Sequence, residues 1–128
     1  MIKTDNNGKD LKSKVYYIYI VECLNGSLYT GVTTDIQRRY MEHSKKIGAK
    51  YTKAFNVKNL KAIWKTKLFE NTRSIASKLE YNIKKLKRDD KLLLIDDNKY
   101  FKMFFENSLD IDMYVRIKNK EIKNLMKR

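Results

Sequence analysis

A chain of 128 residues with 42% hydrophobic side chains has the size of one domain with a real core. Its 29 Lys and Arg against 15 Asp and Glu leave a net charge of +14, spread along the chain, which points to a polyanion, nucleic acid before anionic membrane. The lone cysteine, Cys23, excludes an intramolecular disulfide, no apolar run reaches the ~18 residues of a membrane span, and the polar residues 1–14 hold no signal region, so a cytoplasmic protein is expected.

Residues 1–14 read as a flexible tail. Val15–Val21 is β-branched and aromatic throughout, the pattern of a strand covered on both faces. Asn25-Gly26 marks a hairpin, and Leu28–Val32 is the return strand. Thr34 and Gln37 form a capping-box pattern with Asp35 in the first turn, which predicts a helix to about Lys46, ended near Gly48. On that helix Ile36, Tyr40, His43 and Ile47 share one stripe, with Arg39 on its flank. Arg38 and Glu42 are expected to point away from it.

A basic, aromatic-spotted connection follows, with Lys50, Tyr51, Lys53, Phe55 and Lys58. Leu60–Phe69 reads as a third strand around Ile63 and Trp64. Asn71 or Thr72 is the expected cap of a second helix, Arg73 to about Arg88. It buries Ile75, Leu79, Ile83 and Leu86 and carries Glu80 at the edge of that face. Short helices are expected around Leu92–Ile95 and Tyr100–Phe105, and a last amphipathic helix carries Ile111, Val115, Ile122 and Leu125. This order predicts a small α+β fold: a three-stranded, mostly antiparallel sheet flanked by helices (β-β-α-β-α) with extra C-terminal helices. Residues 15–95 are expected to form the domain, with 96–128 a helical extension packed on it.

Five residues stand out as poor core material. Whether Tyr19 and Tyr29 share a sheet face depends on the hairpin loop. A two-residue Asn25-Gly26 turn puts them on opposite faces; a three-residue loop, Leu24-Asn25-Gly26, puts them on one. Arg39 and His43 are one helical turn apart and therefore neighbours. Arg39 can fork onto a phosphate. Glu80 is a single carboxylate with no second acid close in sequence, which argues against a two-metal design. Taken singly, the tyrosines read as ordinary strand residues, His43 as a packed core histidine, and Glu80 as half of a surface pair with Lys84.

Together, in this order, they resemble the GIY-YIG nuclease family, and in particular its short standalone bacterial members. The resemblance rests on Tyr17-Ile18-Tyr19, on Tyr29-Thr30-Gly31, on the run from Thr33 to His43, and on Glu80 with Tyr81 and Lys84 after it. Tyr17 and Thr30 stand where the name motifs have glycine and isoleucine. Val32 stands where some members have a lysine. The resemblance implies a metal-dependent DNA endonuclease of the kind used in DNA repair, with catalytic residues Tyr19, Tyr29, Arg39, His43 and Glu80. Glu80 would be the ligand of one Mg2+ or Mn2+, with no small-molecule cofactor. His43 would relay a proton or orient Tyr29; the sequence does not decide.

Lys50, Tyr51, Lys53, Lys58 and Lys84 are the expected nucleic-acid contacts, with Tyr51 suited to stacking an unpaired base. Sequence-specific interfaces bury ~1,000–2,500 Å2, a demand that a lone small domain meets poorly. Single-stranded or branched DNA is therefore the favoured partner, and a monomer the expected state. A binding module without turnover on the same scaffold, or an RNA nuclease, are the alternative readings.

Overall fold

The computed structural model describes residues 14–44, 57–69 and 71–125 of the chain, with the side chains of His43, Ser44, Val57 and Lys58 outside the description. The expected tail as far as residue 13, the Gly48 end signal and Lys50, Tyr51 and Lys53 lie outside the described residues; Lys14, the tail's last residue, is described and exposed.

Strand β1 (Tyr17–Cys23) carries the apolar run expected of a strand covered on both sides, and it lies inside the sheet. It pairs antiparallel with β2 (Leu28–Thr33) on one side and with β3 (Val57–Thr66) on the other. The hairpin takes the three-residue form. The Cys23 amide donates to the Ser27 carbonyl at 2.9 Å, and the Gly26 amide donates to the Cys23 carbonyl at 2.8 Å. Gly26 closes the loop at φ 86°, where a β-carbon is disfavoured. The Asn25 side chain accepts from the Ser27 amide at 3.1 Å.

Alternation along β1 divides the core in two. Ile18 and Ile20 face Ala62 and Trp64 together with α2 (Thr72–Lys85), α3 (Arg88–Asp96) and α4 (Lys99–Phe105). That layer holds Ala76, Leu79, Ile83, Leu94, Phe101 and Phe105. Tyr19 and Val21 face the other way, against Ile63, Ile36 of α1 (Ile36–Ser44), and Ile117.

Both helix starts differ in detail from the sequence reading. Asp35, not Thr34, caps α1, because its Oδ1 accepts the Arg38 amide at 3.0 Å while the Thr33 hydroxyl accepts the Asp35 amide. Asn71 precedes α2 in the left-handed region at φ 62°, and its side chain makes no capping bond. Asparagine is one of the few residues other than glycine that tolerates this conformation.

The three expected strands are extended by a fourth. Residues 111–116, read from sequence as part of the last helix, form a 3-10 turn (Ile111–Met113) and β4 (Tyr114–Arg116). β4 pairs antiparallel with β3, giving the order β2-β1-β3-β4. Tyr114 is buried in the α2 layer and Ile117, three residues on, in the opposite layer, as alternation along a strand requires, and the Ile117 amide donates to the Ile63 carbonyl at 2.9 Å. Only α5 (Asn119–Leu125) keeps the helical reading.

One close approach ties the hairpin together. Tyr19 pairs across the strands with Gly31, and a β-carbon at Gly31 would sit 2.5 Å from Tyr19 Cζ and 3.0 Å from Cε1. No real side chain tolerates this, so the Tyr19 ring would have to leave a site where it is 1% exposed. Gly31→Ala should destabilise the fold by about 1–3 kcal/mol in chemical denaturation. In a Tyr19→Ala background the same change should cost much less, because the clashing ring is gone. Equal losses in both backgrounds would show that the ring is not what demands glycine.

Candidate active site

The β1–β2 register pairs Tyr19 with Gly31 and Val21 with Tyr29, so the two tyrosines are diagonal neighbours on one face. Helix α1 covers that face through Ile36, 3% exposed. Three residues on, Arg39 reaches back and is hydrogen-bonded to the Tyr19 hydroxyl. Its Nη1 also lies 3.7 Å from Glu42 Oε1, with both side chains 27% exposed. Glu42, expected to point away, is thus beside Arg39: residues three apart share a helix surface. Arg38 does point outward and sits 4.0 Å from Asp35, with its side chain 63% exposed.

Glu80 arrives from the opposite layer. α2 packs on the far face through Ala76, Leu79 and Ile83, and Glu80 emerges past the edge strand β2, in a groove beside Val32 and Thr33. Its Oε2 is 3.4 Å from Lys84 Nζ, the surface pair foreseen as the plain reading of this carboxylate. Four of the five singled-out residues share one electrostatic neighbourhood. The Tyr19 phenol is pushed up to about 12, chiefly by burial, with Tyr29 and Glu80 adding to the rise and the Arg39 hydrogen bond and charge opposing it. Burial alone would lower Arg39, but Tyr19, Glu42 and Tyr29 outweigh it and hold the guanidinium more firmly cationic. His43 lies in the last turn of α1, and its side chain is outside the described residues; so is that of Lys58 in β3.

Among the described residues no three His, Cys, Asp or Glu side chains gather as a cation cage. A lone, partly exposed carboxylate still fits a hydrated Mg2+, which keeps several waters and takes one or two carboxylates plus substrate phosphate. Among the described residues no helix is long and apolar enough to cross a membrane.

Comparison with known proteins decides the family. Residues 15–93 match the GIY-YIG catalytic domain. The chain belongs to the GIY-YIG family. A UPF0213 protein of Staphylococcus saprophyticus is 44% identical to this GIY-YIG protein over 82 residues, 64% of this chain and 95% of the relative. One of Fusobacterium nucleatum is 36% identical over 108 residues, 84% of this chain and 97% of the relative. The solution structure of a UPF0213 protein from Bacillus halodurans is 35% identical, with a TM-score of 0.40, and the match covers 74% of this chain and 98% of that one. Membership assigns the GIY-YIG chain a nuclease-type domain.

Sequence reasoning quoted Gly31 as a motif letter without its cause, the Tyr19 ring. It also sent Glu42 away from Arg39 and did not foresee the groove beside Glu80. The Gly31 requirement was visible only as a glycine inside a strand, a usual sign of close approach.

The raised phenols set a pH limit. Folded Tyr19 and Tyr114 titrate at about 12, burial being the main cause in both. Unfolded phenols titrate near ~10, so the unfolded chain loses those protons first. The stability these two groups confer is complete below pH ~10 and is lost as pH rises towards ~12. Denaturation midpoints across that window should fall, and Tyr19→Phe should flatten the fall. An unchanged slope would remove Tyr19 as a source.

Proposed function

We propose that this protein is a metal-dependent DNA endonuclease that hydrolyses phosphodiesters with a single divalent ion, on single-stranded or branched substrates. The observation that supports this reading is that Tyr19 and Tyr29 share a sheet face, Arg39 is hydrogen-bonded to Tyr19, and the charge of Glu80 is felt at the same phenol. Glu80 would hold one hydrated Mg2+ or Mn2+, whose chemistry there is to neutralise charge on a phosphate oxygen and on the leaving 3′ oxygen.

Tyr19 keeps its proton throughout the neutral range and acts as a hydrogen-bond donor to the attacking water or the phosphate, not as a base. Tyr29, half-buried at the surface of the same face, orients that water; it takes the water's proton only as the phenolate, a form that a cationic neighbour such as Arg39 favours. Arg39, fixed by Tyr19 and Glu42, offers a preorganised cation to the charge that builds on phosphorus as the water oxygen bonds and the P–O3′ bond breaks. His43, on the same helix, is proposed to relay the proton onward or to orient Tyr29. Lys84, now paired with Glu80, turns to the phosphate backbone when substrate fills the site, and Lys50, Tyr51, Lys53 and Lys58 are proposed as further contacts.

The deciding experiment is a panel of labelled single-stranded, duplex, flap and RNA substrates with Mg2+, Mn2+ or EDTA. Cleavage of the DNA single strand or flap, lost in EDTA, is expected. Binding without cleavage of anything favours the module lacking turnover.

In that panel Arg39→Ala should lower kcat by about 100-fold or more with far less effect on binding, the scale of losing one preorganised charge donor. Arg38→Ala should leave turnover close to wild type, since its side chain faces solvent. Comparable losses in both variants would defeat the choice of Arg39.

Glu80→Gln should preserve the fold, because the side chain is 27% exposed and its partner Lys84 is on the surface. Metal-dependent cleavage should vanish while binding persists with an unchanged salt slope. Wild-type cutting by Glu80→Gln in Mg2+ would end the one-ion mechanism.

A further inference from the structure

The groove that receives Glu80 continues along the open edge of the sheet. Glu80, Ser77 and Arg73 lie at i, i−3 and i−7 of α2, one helix face covering roughly 10 Å of axis at 1.5 Å per residue. Lys14, Tyr16 and Thr34 form the facing wall. β2 is the edge strand of the sheet, and among the described residues no further strand covers this route. Arg73 and Lys14 are both exposed, and neither has an ion-pair partner among the described residues, whereas Arg39 and Lys84 do. Among the described residues Glu80 is the one acid lining the groove, and the other charged groups there, Arg73 and Lys14, are cationic. The Tyr16 ring packs partly on the core beneath and adds an aromatic surface to that wall.

We infer that this groove holds the nucleic-acid strand on one side of the cut, with Arg73 and Lys14 neutralising a phosphate that flanks the scissile one. The inference rests on the nuclease reading for the position of the cut, but binding itself needs no turnover. A strand that presents a phosphate to Glu80 has to continue past it. The groove at β2 offers a path with two cations in its lining and a ring at its side. Two unpartnered cations on a solvent-exposed groove match a polyanion backbone, and counterion release supplies the affinity.

The test is fluorescence anisotropy of a labelled single-stranded oligonucleotide in EDTA, over a range of salt, for wild type, Arg73→Ala, Lys14→Ala, the double variant and Lys102→Ala. Lys102 is exposed on α4 and serves as the distant control. Each groove variant should bind several-fold more weakly, irrespective of base sequence, and lose about one unit of the log–log salt slope. Lys102→Ala should match wild type. A methylphosphonate placed next to the cut should weaken wild-type binding, weaken Arg73→Ala less, and add nothing to the double variant.

Wild-type affinity and slope in both groove variants would overturn the proposal, as would a methylphosphonate penalty undiminished in Arg73→Ala. The two readings fail separately. A protein that binds with these slopes but cuts no substrate loses the nuclease assignment and keeps the groove. One that cuts, with Arg73 and Lys14 silent, loses the groove alone. A wild type that binds no oligonucleotide loses both.

Discussion

The side chain of Tyr19 fills the space that a β-carbon at position 31 would need, and the hairpin is built around that contact. Glycine at 31 fixes which residues of β1 and β2 stand opposite each other. Strand side chains alternate, so the same register places Tyr29 beside Tyr19. A slip of one residue would send Tyr29 to the far layer and bring a bulky neighbour under the Tyr19 ring. The odd-length loop closed by left-handed Gly26 enforces the register from the other end. Arg39 then completes the arrangement from α1, its guanidinium donating to the phenol that the register has positioned.

The central strand serves two cores, and the site lies where they meet the edge of the sheet. The α2 layer is large and aromatic; the α1 layer is small, with Tyr19 itself among its buried members. A phenol in such a place is kept neutral, and the adjacent guanidinium is kept charged. Glu80, partly exposed on α2 in the opposite layer, adds a small upward push to the Tyr19 phenol. The arrangement has a cost nearby: Thr30 Oγ1 is buried with no hydrogen-bond partner among the described residues. Its place in the middle of the second motif, facing α2, gives the edge strand a polar group where an apolar one would pack.

Residues beyond the family match at 93 support this centre from outside. β4 extends the sheet, and Ile117 joins Tyr19, Val21, Ile36 and Ile63 under the site. Arg116 is the fastener. Its guanidinium lies 4.9 Å over the Trp64 ring and donates to the Leu94 and Ile95 carbonyls at 3.1 and 2.9 Å. Those carbonyls belong to the last turn of α3, where the helix dipole favours a cation. Trp64 in turn donates from Nε1 to Asn98 at 3.0 Å, and the Tyr114 hydroxyl donates to the Ile75 carbonyl. The C-terminal third thereby binds β3, α2 and α3 into one body.

The sequence alone determined the elements with strong one-dimensional signals: the apolar run of β1, the Asn-Gly hairpin, and the long apolar face of α2. It also yielded the family, because the order of Tyr19, Tyr29, Arg39 and Glu80 is a linear pattern that needs no coordinates. It left the hairpin parity open, since loop length and glycine conformation are equally compatible with two- and three-residue turns until the flanking strands are paired. It misread residues 111–116 as helix, because four apolar residues at irregular spacing satisfy a helical stripe, and only pairing with β3 reveals the period of two. The tertiary structure alone decided that Arg39 meets Tyr19, that Glu42 braces Arg39, and that Glu80 rounds the edge of the sheet into a cationic groove. These are contacts between elements far apart in sequence, set by which faces bury together, and no local propensity carries that information.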